Sequence, residues 1–260
     1  MKRISLLTLT ILLAITVSAS KPTGRIMTSG RFLAPAPEVN QPDNTLTPKE
    51  QKEGWKLLWD GKTLNGWVSN RDGMVPQKGW TIQNNELIVD FGENKGGGDL
   101  VTEKEFKNFI LEVDFKLTPG ANSGIKYLIQ PNKDKKGYSN IGCEYQVLDD
   151  VLHPDAKLGK NGDRTLASLY DLIPALKTKP FKGVNQWNRA RIEVRGEKVT
   201  HYLNGTKVVE YTRGTPEWRA LVATSKFAKE TGFGEYPTGH LLLQEHGNEV
   251  HYKNIKVKEL

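Results

Sequence analysis

The chain has 260 residues, of which 37% are hydrophobic and 26% are charged, as expected for a globular protein with a packed core. Its 37 Lys and Arg residues outnumber its 30 Asp and Glu residues, but they are spread along the chain and accompany no nucleic-acid-binding motif. The only cysteine, Cys143, excludes an internal disulfide and is predicted to be a small buried hydrophobe. Stability must therefore come from packing, and a nucleic-acid partner is not expected.

The N-terminal residues are typical of an export signal. Two basic residues precede the apolar run Leu6–Val17, and small residues suited to cleavage follow it. The run is too short to span a bilayer comfortably. We therefore expect a signal peptide over residues 1–19, no membrane span, and an exported protein that is periplasmic or secreted. Residues 20–46 carry four prolines among small polar residues and are predicted to be a flexible leader.

Residues 47–260 are predicted to form one all-β domain, an antiparallel sandwich of two sheets with one short N-terminal helix. Thr47, Pro48 and Glu50 mark the helix start, with a capping hydroxyl, a proline at the first position and a carboxylate that reaches back. Alternating apolar and polar residues predict the strands, and Asn204-Gly205 is a strong hairpin signal. The predicted strands cover residues 79–83, 86–90, 109–117, 125–130, 142–148, two hairpins within 190–211, 240–246 and 249–259.

Three of these strands place amides, histidines and titratable groups on one face. A solvated face needs only Lys and Glu, whereas amides and histidines offer the mixed donors and acceptors that a polyhydroxylated ligand requires. A solvated sheet face remains the alternative for any one strand alone. The residues that share these faces are Lys126 and Gln130, with Ile125, Tyr127 and Ile129 opposite them, then Glu144 and Gln146, and then His240, Gln244 and His246.

The loops add further reactive groups. A segment of some twenty residues follows the strand predicted over 142–148. Long irregular loops in compact domains are usually functional or disordered. Its candidate site residues are Asp149, His153, Arg164 and Tyr170, with Asp150, Asp155 and Asp163 beside them. Three glycines precede Asp99, and they indicate either a close approach of the backbone or a strained turn before a strand.

Several familiar catalytic patterns are absent. Glu112 and Asp114 begin an E-x-D-x-E strand of sandwich-fold glycoside hydrolases, but Lys116 replaces the third carboxylate. Retaining hydrolysis needs two carboxyl groups about 5 Å apart, so this strand is interpreted as a solvated outer face. No Cys/His cluster or H-E-x-x-H is present. The sequence requires no cofactor, although His153 with a neighbouring aspartate leaves a divalent metal possible.

Five segments together resemble the 3-keto-disaccharide hydrolase family, formerly a domain of unknown function that is abundant in secreted proteins of Bacteroidetes-type bacteria. They are LLWDGKTLNGW, GGGDLVTEKEFKNFILEVDFKLTPGANSGIKY, EYQVLDD followed by HPDAK, ASLYDLIPA, and GHLLLQEHGNEVHYKNIKVKEL. The resemblance runs from about Gly54 to Leu260 and implies a concanavalin-like jelly roll. One departure is Glu245, where related sequences often have Asp; it is predicted to face away from Gln244 and His246.

The resemblance also implies a reaction. A glycoside oxidised at C3 has an acidic C2 proton, so a base can remove it, the C1 substituent leaves by elimination, and water adds to the resulting 2-hydroxy-3-keto-glucal. The candidate bases are Glu144, His153 and His246. Lys126 or a metal would stabilise the enolate, and Asp149 would orient a histidine. The candidate sugar-binding residues are Asp99, Gln146, Arg164, Tyr170, His240 and Gln244.

Two other kinds of protein fit the same sandwich. A non-catalytic carbohydrate-binding module is the main alternative, but such modules usually line their face with aromatic rings that stack on sugars. A structural surface domain is the third option, and it would leave the histidines without a role. A 3-keto-glycoside or another carbohydrate is the expected partner in the first two cases.

Overall fold

The structure is a computed structural model that describes residues 41–133 and 136–260; the predicted signal peptide and the predicted leader up to residue 40 lie outside the described residues. The described chain forms two antiparallel sheets and two α-helices. The helices are α1 (Pro48–Lys52) and α2 (Pro216–Ala223). The strands are β1 (Trp55–Leu57), β2 (Trp67–Ser69), β3 (Trp80–Gln83), β4 (Glu86–Val89), β5 (Leu100–Thr102), β6 (Phe109–Leu117), β7 (Asn122–Ile129), β8 (Cys143–Leu148), β9 (Asn188–Arg195), β10 (Lys198–Leu203), β11 (Thr206–Thr212), β12 (His240–Leu243) and β13 (Val250–Glu259).

The larger sheet has eight strands in the order β11-β10-β9-β6-β13-β4-β3, and β1 also pairs with β13. The smaller sheet has five strands in the order β2-β5-β12-β7-β8. The predicted jelly-roll sandwich of two antiparallel sheets is therefore confirmed. Among the described residues, no helix has the length and apolar character needed to cross a membrane.

The core lies between the two sheets. On β6, every second residue from Phe109 to Leu117 faces inward and is at most 2% exposed, as the alternation predicts. From the smaller sheet, Tyr145 and Val147 meet them, and Cys143 is buried as expected. Burying a large apolar side chain contributes roughly 1.5–3 kcal/mol. This shared core gives the smaller sheet a rigid base, and its outer face carries the pocket described below.

The outer face of β6 is paired rather than solvated. Arg189 holds Asp114 through two hydrogen bonds of 2.6 and 2.9 Å, and Lys256 lies 3.2 Å from Glu112. Asp114 is only 8% exposed. These carboxylates therefore stabilise the larger sheet, which agrees with the absence of a catalytic E-x-D-x-E pattern and corrects the expectation of a solvated face.

Two expectations about the helices and the domain boundary need correction. Asn44 exchanges backbone and side-chain hydrogen bonds with Asn254, at 2.6 and 2.8 Å, so residues 41–46 pack on the domain instead of belonging to the flexible leader. The capping box of α1 is present as predicted. The second helix, α2, was not predicted, although Thr215 caps it and a proline opens it as at α1.

A bulge in β7 shifts the predicted alternation. Leu128 has φ 56°, and the pairing with β12 slips between His240 and Leu242. As a result Leu128 joins the main core, while Ile129, predicted to face the core, packs with Leu242 on the outer face. One extra residue thus reverses the faces at the end of the strand.

A buried polar network joins the two sheets beneath the long loop. The Tyr127 hydroxyl lies 2.8 Å from His201 Nε2 and 2.6 Å from the Tyr211 hydroxyl. His201 Nδ1 lies 3.2 Å from the Ala167 carbonyl oxygen, which can only accept, so Nδ1 carries the proton and Nε2 accepts from Tyr127. Burial lowers the pKa of His201 to about 4, which keeps the ring neutral. The network fixes the middle of the long loop to the sandwich.

Candidate active site

A pocket of about 180 Å³ opens on the outer face of the smaller sheet. Its lining comes from β7 and β8, from the segment just before β8, from the residues after β12, from the long loop after β8 and from the segment after α2. We call it the polar pocket. It is lined by Asn122, Lys126, Asn140, Ile141, Gly142, Glu144, Gln146, Asp155, Tyr170, Lys226, Phe227, Gln244 and His246.

The floor of the polar pocket holds a buried ion pair. Lys126 on β7 stands opposite Glu144 on β8, and Nζ lies 3.6 Å from Oε2. The two residues are 5% and 6% exposed. Lys126 Nζ also donates to the Asn140 carbonyl oxygen at 2.9 Å. A buried charge needs a partner and further hydrogen bonds, and here the antiparallel register supplies the partner.

Gly124 makes room for the Glu144 carboxylate. It precedes Lys126 by two positions on the same face of β7, opposite Gln146. A methyl carbon placed on Gly124 would lie 2.8 Å from Glu144 Cδ and closer still to Oε1. Since Gly124 carries no side chain, the carboxyl group can lie across β7 at the bottom of the pocket.

The electrostatic surroundings hold Glu144 ready to accept a proton. Burial raises the pKa of Glu144 above its ordinary value of 4.5, and Asp99 acts in the same direction. Lys126 and Lys226 oppose this rise. A carboxylate with a raised pKa is a stronger base than a solvated one, provided that it is ionised at the working pH.

Two glutamines complete the predicted polar face. Gln146 and Gln244 both line the polar pocket. The backbone of Gln244 is held from two sides, because its N–H donates to the Gly124 carbonyl at 2.9 Å and its carbonyl accepts from Ser123 Oγ at 2.6 Å. β12 itself ends at Leu243, three residues earlier than predicted.

The two loop histidines come together at the pocket, which His246 lines and His153 does not. The rings of His153 and His246 lie 6.1 Å apart, edge to face, and His246 lines the polar pocket. His153 Nδ1 accepts from the Asp155 backbone N–H at 3.2 Å, so the proton of the neutral ring is on Nε2. Burial, and then the neighbouring His246, lower the pKa of His153. Its free ring nitrogen is therefore a proton donor in hydrogen bonds and not a base.

Asp149 does not orient a histidine. Its carboxylate accepts from the backbone N–H groups of Val151 and Leu152, at 3.0 and 3.3 Å, and from that of Gly120 at 2.8 Å. It is only 3% exposed. The expected catalytic role is thus replaced by a structural one, in which Asp149 folds the turn that leads to His153.

Arg164 acts on the pocket through its neighbours. It donates to Asp155 at 2.8 Å and to Asp171 at 2.6 Å, and it lies 5.3 Å from the centre of the Tyr170 ring. Arg164 does not line the polar pocket, whereas Asp155 and Tyr170 do. Burial and a hydrogen bond with Asp155 raise the pKa of Tyr170, so its hydroxyl stays protonated. The predicted contact of Arg164 with the sugar is therefore corrected to a positioning role.

His240 and Asp99 also lie outside the pocket lining. His240 Nδ1 lies 2.7 Å from the Thr102 carbonyl, its ring packs against Tyr138 at 4.5 Å, and it is 4% exposed. These contacts and this burial leave His240 inaccessible to a ligand. Asp99 is 7% exposed and accepts from the Glu245 backbone N–H at 2.9 Å. Burial raises its pKa, and it influences the site through its charge.

The glycine-rich segment before Asp99 owes its composition to close packing. A methyl carbon on Gly97 would collide with the Lys78 carbonyl, and Gly98 has φ +89° beside Ser69. The Glu245 carboxylate accepts from the Gly96 and Gly98 backbone N–H groups at 3.0 and 3.2 Å. The glycines thus allow both a close approach of the backbone and a strained turn before β5, as the sequence suggested. Glu245 stabilises this segment.

Sequence reasoning missed several residues that line the pocket. Lys226 and Phe227 follow α2, and Lys226 Nζ lies 4.1 Å from the centre of the Tyr170 ring. Asn122 opens β7 on the same face as Lys126, and alternation could have found it had the strand been extended. The segment after α2 offers no periodic signal, so its approach to the pocket appears only in the fold.

The described residues offer little for a metal. Within residues 41–133 and 136–260, no group of three or more His, Cys, Asp and Glu side chains is arranged to hold a metal ion. Glu144 is paired with Lys126, and His153 Nδ1 is occupied by a backbone N–H. The mechanism proposed below therefore uses only side chains.

The arrangement suits proton transfer at a polar ligand. It combines a buried carboxylate with a raised pKa, two ammonium groups, and histidines at the rim.

A sequence model of the 3-keto-alpha-glucoside-1,2-lyase-like domain matches residues 54–258. The chain belongs to this family.

Relatives support the family assignment. A Bacteroides thetaiotaomicron protein named 3-keto-disaccharide hydrolase is 40% identical over 235 residues, which cover 80% of this chain and 79% of that protein. A crystal structure of a candidate glycosyl hydrolase from Parabacteroides distasonis is 31% identical with a TM-score of 0.73, covering 84% of this chain and all of that one. A second such structure from the same species is 26% identical with a TM-score of 0.56, covering 79% and 99%.

Mutation can measure how far the lack of a side chain at Gly124 accommodates the Glu144 carboxylate. Gly124→Ala should displace the carboxylate and destabilise the protein by roughly 1–3 kcal/mol, because the added methyl group overlaps it. In a Glu144→Ala background the same change should cost much less, since the obstacle is gone. Denaturant unfolding of the four proteins gives the coupling energy. Equal costs of Gly124→Ala in both backgrounds would contradict the described packing.

Proposed function

We propose that this protein cleaves 3-keto-glycosides, including 3-keto-disaccharides, by removing the C2 proton, eliminating the C1 substituent and adding water. The observation that carries the proposal is the buried Glu144–Lys126 pair on the floor of the polar pocket. Membership of the family and the name of the Bacteroides relative support the substrate class.

Glu144 is proposed as the base. It takes the proton from C2, and the electrons of the broken C–H bond form an enolate with the C3 carbonyl. The raised pKa of Glu144 fits this step, because the carboxyl group gains a proton during the reaction. The enolate then expels the C1 oxygen, which leaves a double bond between C1 and C2.

Lys126 is proposed to stabilise the developing enolate charge. An ammonium group has three N–H donors, and Lys126 directs one at the Asn140 carbonyl and lies 3.6 Å from Glu144. One donor therefore remains for the C3 oxygen of the substrate. Lys226 adds positive charge at the same pocket. Charges that the fold holds in place stabilise an oxyanion better than freely solvated ones do.

His246 is proposed to protonate the leaving oxygen, since it stands at the rim and lines the pocket. His153, with its proton on Nε2, is placed to donate a hydrogen bond beside it. Water then adds its oxygen to C1 and gives its released proton to His246, while C2 receives a proton from Glu144, whose carboxyl group has exchanged with solvent between the two steps. Glu144 and His246 thus regain their starting protonation states, and the products are a 3-keto sugar and a free alcohol or sugar.

A binding module is less well supported by this pocket. Of its lining residues only Tyr170 and Phe227 are aromatic, while two lysines, two acids and a histidine are titratable. Stacking platforms would explain affinity, but they would not explain a buried base beside a buried cation. The export that the N-terminal sequence predicts would place such an enzyme in the periplasm or outside the cell, and we retain that location as a proposal.

The direct test is incubation with 3-keto-trehalose. The protein should release glucose and 3-keto-glucose in equal amounts, and Glu144→Gln should lower kcat by roughly 100- to 10,000-fold, as removal of a general base does. Glu210→Gln, at an exposed carboxylate on β11, is the matched control and should retain full activity. Unchanged substrate that nevertheless binds with measurable affinity would favour a binding module and refute the proposal.

The pH dependence of the reaction should report the pKa of Glu144. The base works only when ionised, so kcat/KM should rise about tenfold per pH unit below its pKa and level off above it. Because burial raises this pKa, the rise should be centred above 4.5. Lys226→Met removes a cation that opposes the shift, so it should move the rise to higher pH. A rise centred at or below 4.5, or one that Lys226→Met leaves in place, would contradict the assignment.

A further inference from the structure

Asn122 lines the polar pocket and carries an unpaired polar atom in the wall of that pocket. Its Oδ1 is fully buried and has no hydrogen-bond partner among the described residues, and the residue as a whole is 3% exposed. Leaving a buried acceptor unpaired normally destabilises a protein, and most buried polar side chains find a partner. A buried amide that lines a pocket and lacks a partner therefore points to a ligand that supplies one.

The position of Asn122 indicates which part of a ligand it meets. Asn122 and Gly124 lie on the same face of β7, and two residues of a strand span roughly 7 Å. The Glu144 carboxylate lies over Gly124. The Asn122 amide is thus about one sugar ring away from the proposed base, on the side away from Lys126.

From these observations we infer that the Asn122 amide turns toward the pocket when substrate binds and accepts a hydrogen bond from a hydroxyl of the oxidised ring, on the side of that ring remote from the reacting carbons. In a 3-keto-glucoside this leaves the C4 or the C6 hydroxyl, because C1, C2 and C3 take part in the reaction. The inference rests on the proposed function for the identity of the sugar. It adds a substrate-binding residue that acts on affinity and not on the chemical step.

A matched asparagine separates this role from a structural one. Asn188 on β9 is also buried, at 1% exposed, but its amide is satisfied. Its Oδ1 accepts from the Lys182 backbone N–H at 2.9 Å and from Asn204 Nδ2 at 2.8 Å, and its Nδ2 donates to the Gln186 carbonyl at 2.9 Å. Replacing the two asparagines by leucine should therefore have opposite consequences.

The experiment measures affinity and stability in a Glu144→Gln background, where slow catalysis allows calorimetry with 3-keto-trehalose. Asn122→Leu should weaken binding roughly five- to tenfold and leave Tm unchanged or raised, since it removes an unpaired buried group. Asn188→Leu should lower Tm and change the affinity less than twofold. A lowered Tm for Asn122→Leu with unaltered affinity would overturn the inference and make Asn122 structural.

Deoxy substrates identify the hydroxyl. The 4-deoxy and 6-deoxy forms of the oxidised ring should bind the Glu144→Gln protein with different affinities. For one of the two analogues, the added Asn122→Leu substitution should leave the affinity unchanged. If Asn122→Leu weakened the binding of both analogues as much as it weakens the binding of 3-keto-trehalose, the assignment would be overturned. The binding assay does not require turnover, so wild-type protein that fails to cleave 3-keto-trehalose refutes the proposed function alone. Absence of any binding of 3-keto-trehalose to the Glu144→Gln protein would refute the Asn122 assignment.

Discussion

The structure depends most on keeping one carboxylate and one ammonium group out of water on the face of a β-sheet. Glu144 and Lys126 are each about 5% exposed, and transferring either charge alone from water would cost several kcal/mol. The antiparallel register sets them opposite each other, and Gly124 leaves space for the carboxyl group. The apolar core below keeps that sheet rigid, and the loops form part of the pocket wall. These features offset the free-energy cost of removing the two charges from water.

The remaining groups divide into those that act on a ligand and those that hold others in place. Asp149 and Arg164 belong to the second kind, because their polar atoms are engaged by backbone N–H groups and by aspartates. His201 extends this support through the core by holding the Ala167 carbonyl of the same long loop. In the proposed mechanism His246 gives a proton to the leaving oxygen, His153 donates a hydrogen bond, and Glu144 on the floor is the base. The proposed acid and the proposed base thus lie at different depths of the pocket.

Alternation along single strands predicted much of this arrangement. It placed Glu144, Gln146 and Lys126 on one face because β7 and β8 are regular there. The same reasoning failed at Ile129 and at His240, since a bulge at Leu128 changes the pairing and only the neighbouring strand reveals it. Lys226 could not be found, because its approach to the pocket depends on the tertiary path of the segment after α2. The loop residues were recognised as polar, but whether each faces the ligand or the backbone is decided by contacts distant in sequence.

The central claim is that Glu144 removes the C2 proton, and cleavage in heavy water tests it most directly. The protonated Glu144 carboxyl group exchanges with heavy water between elimination and hydration, so a deuteron is delivered to C2. The 3-keto-glucose released from 3-keto-trehalose should therefore be one mass unit heavier at that carbon. Unreacted 3-keto-glucose kept in the same buffer corrects for spontaneous exchange, and Glu144→Gln should abolish the enzymatic incorporation. Product that retains its original hydrogen at C2 would contradict the account and indicate direct displacement at C1.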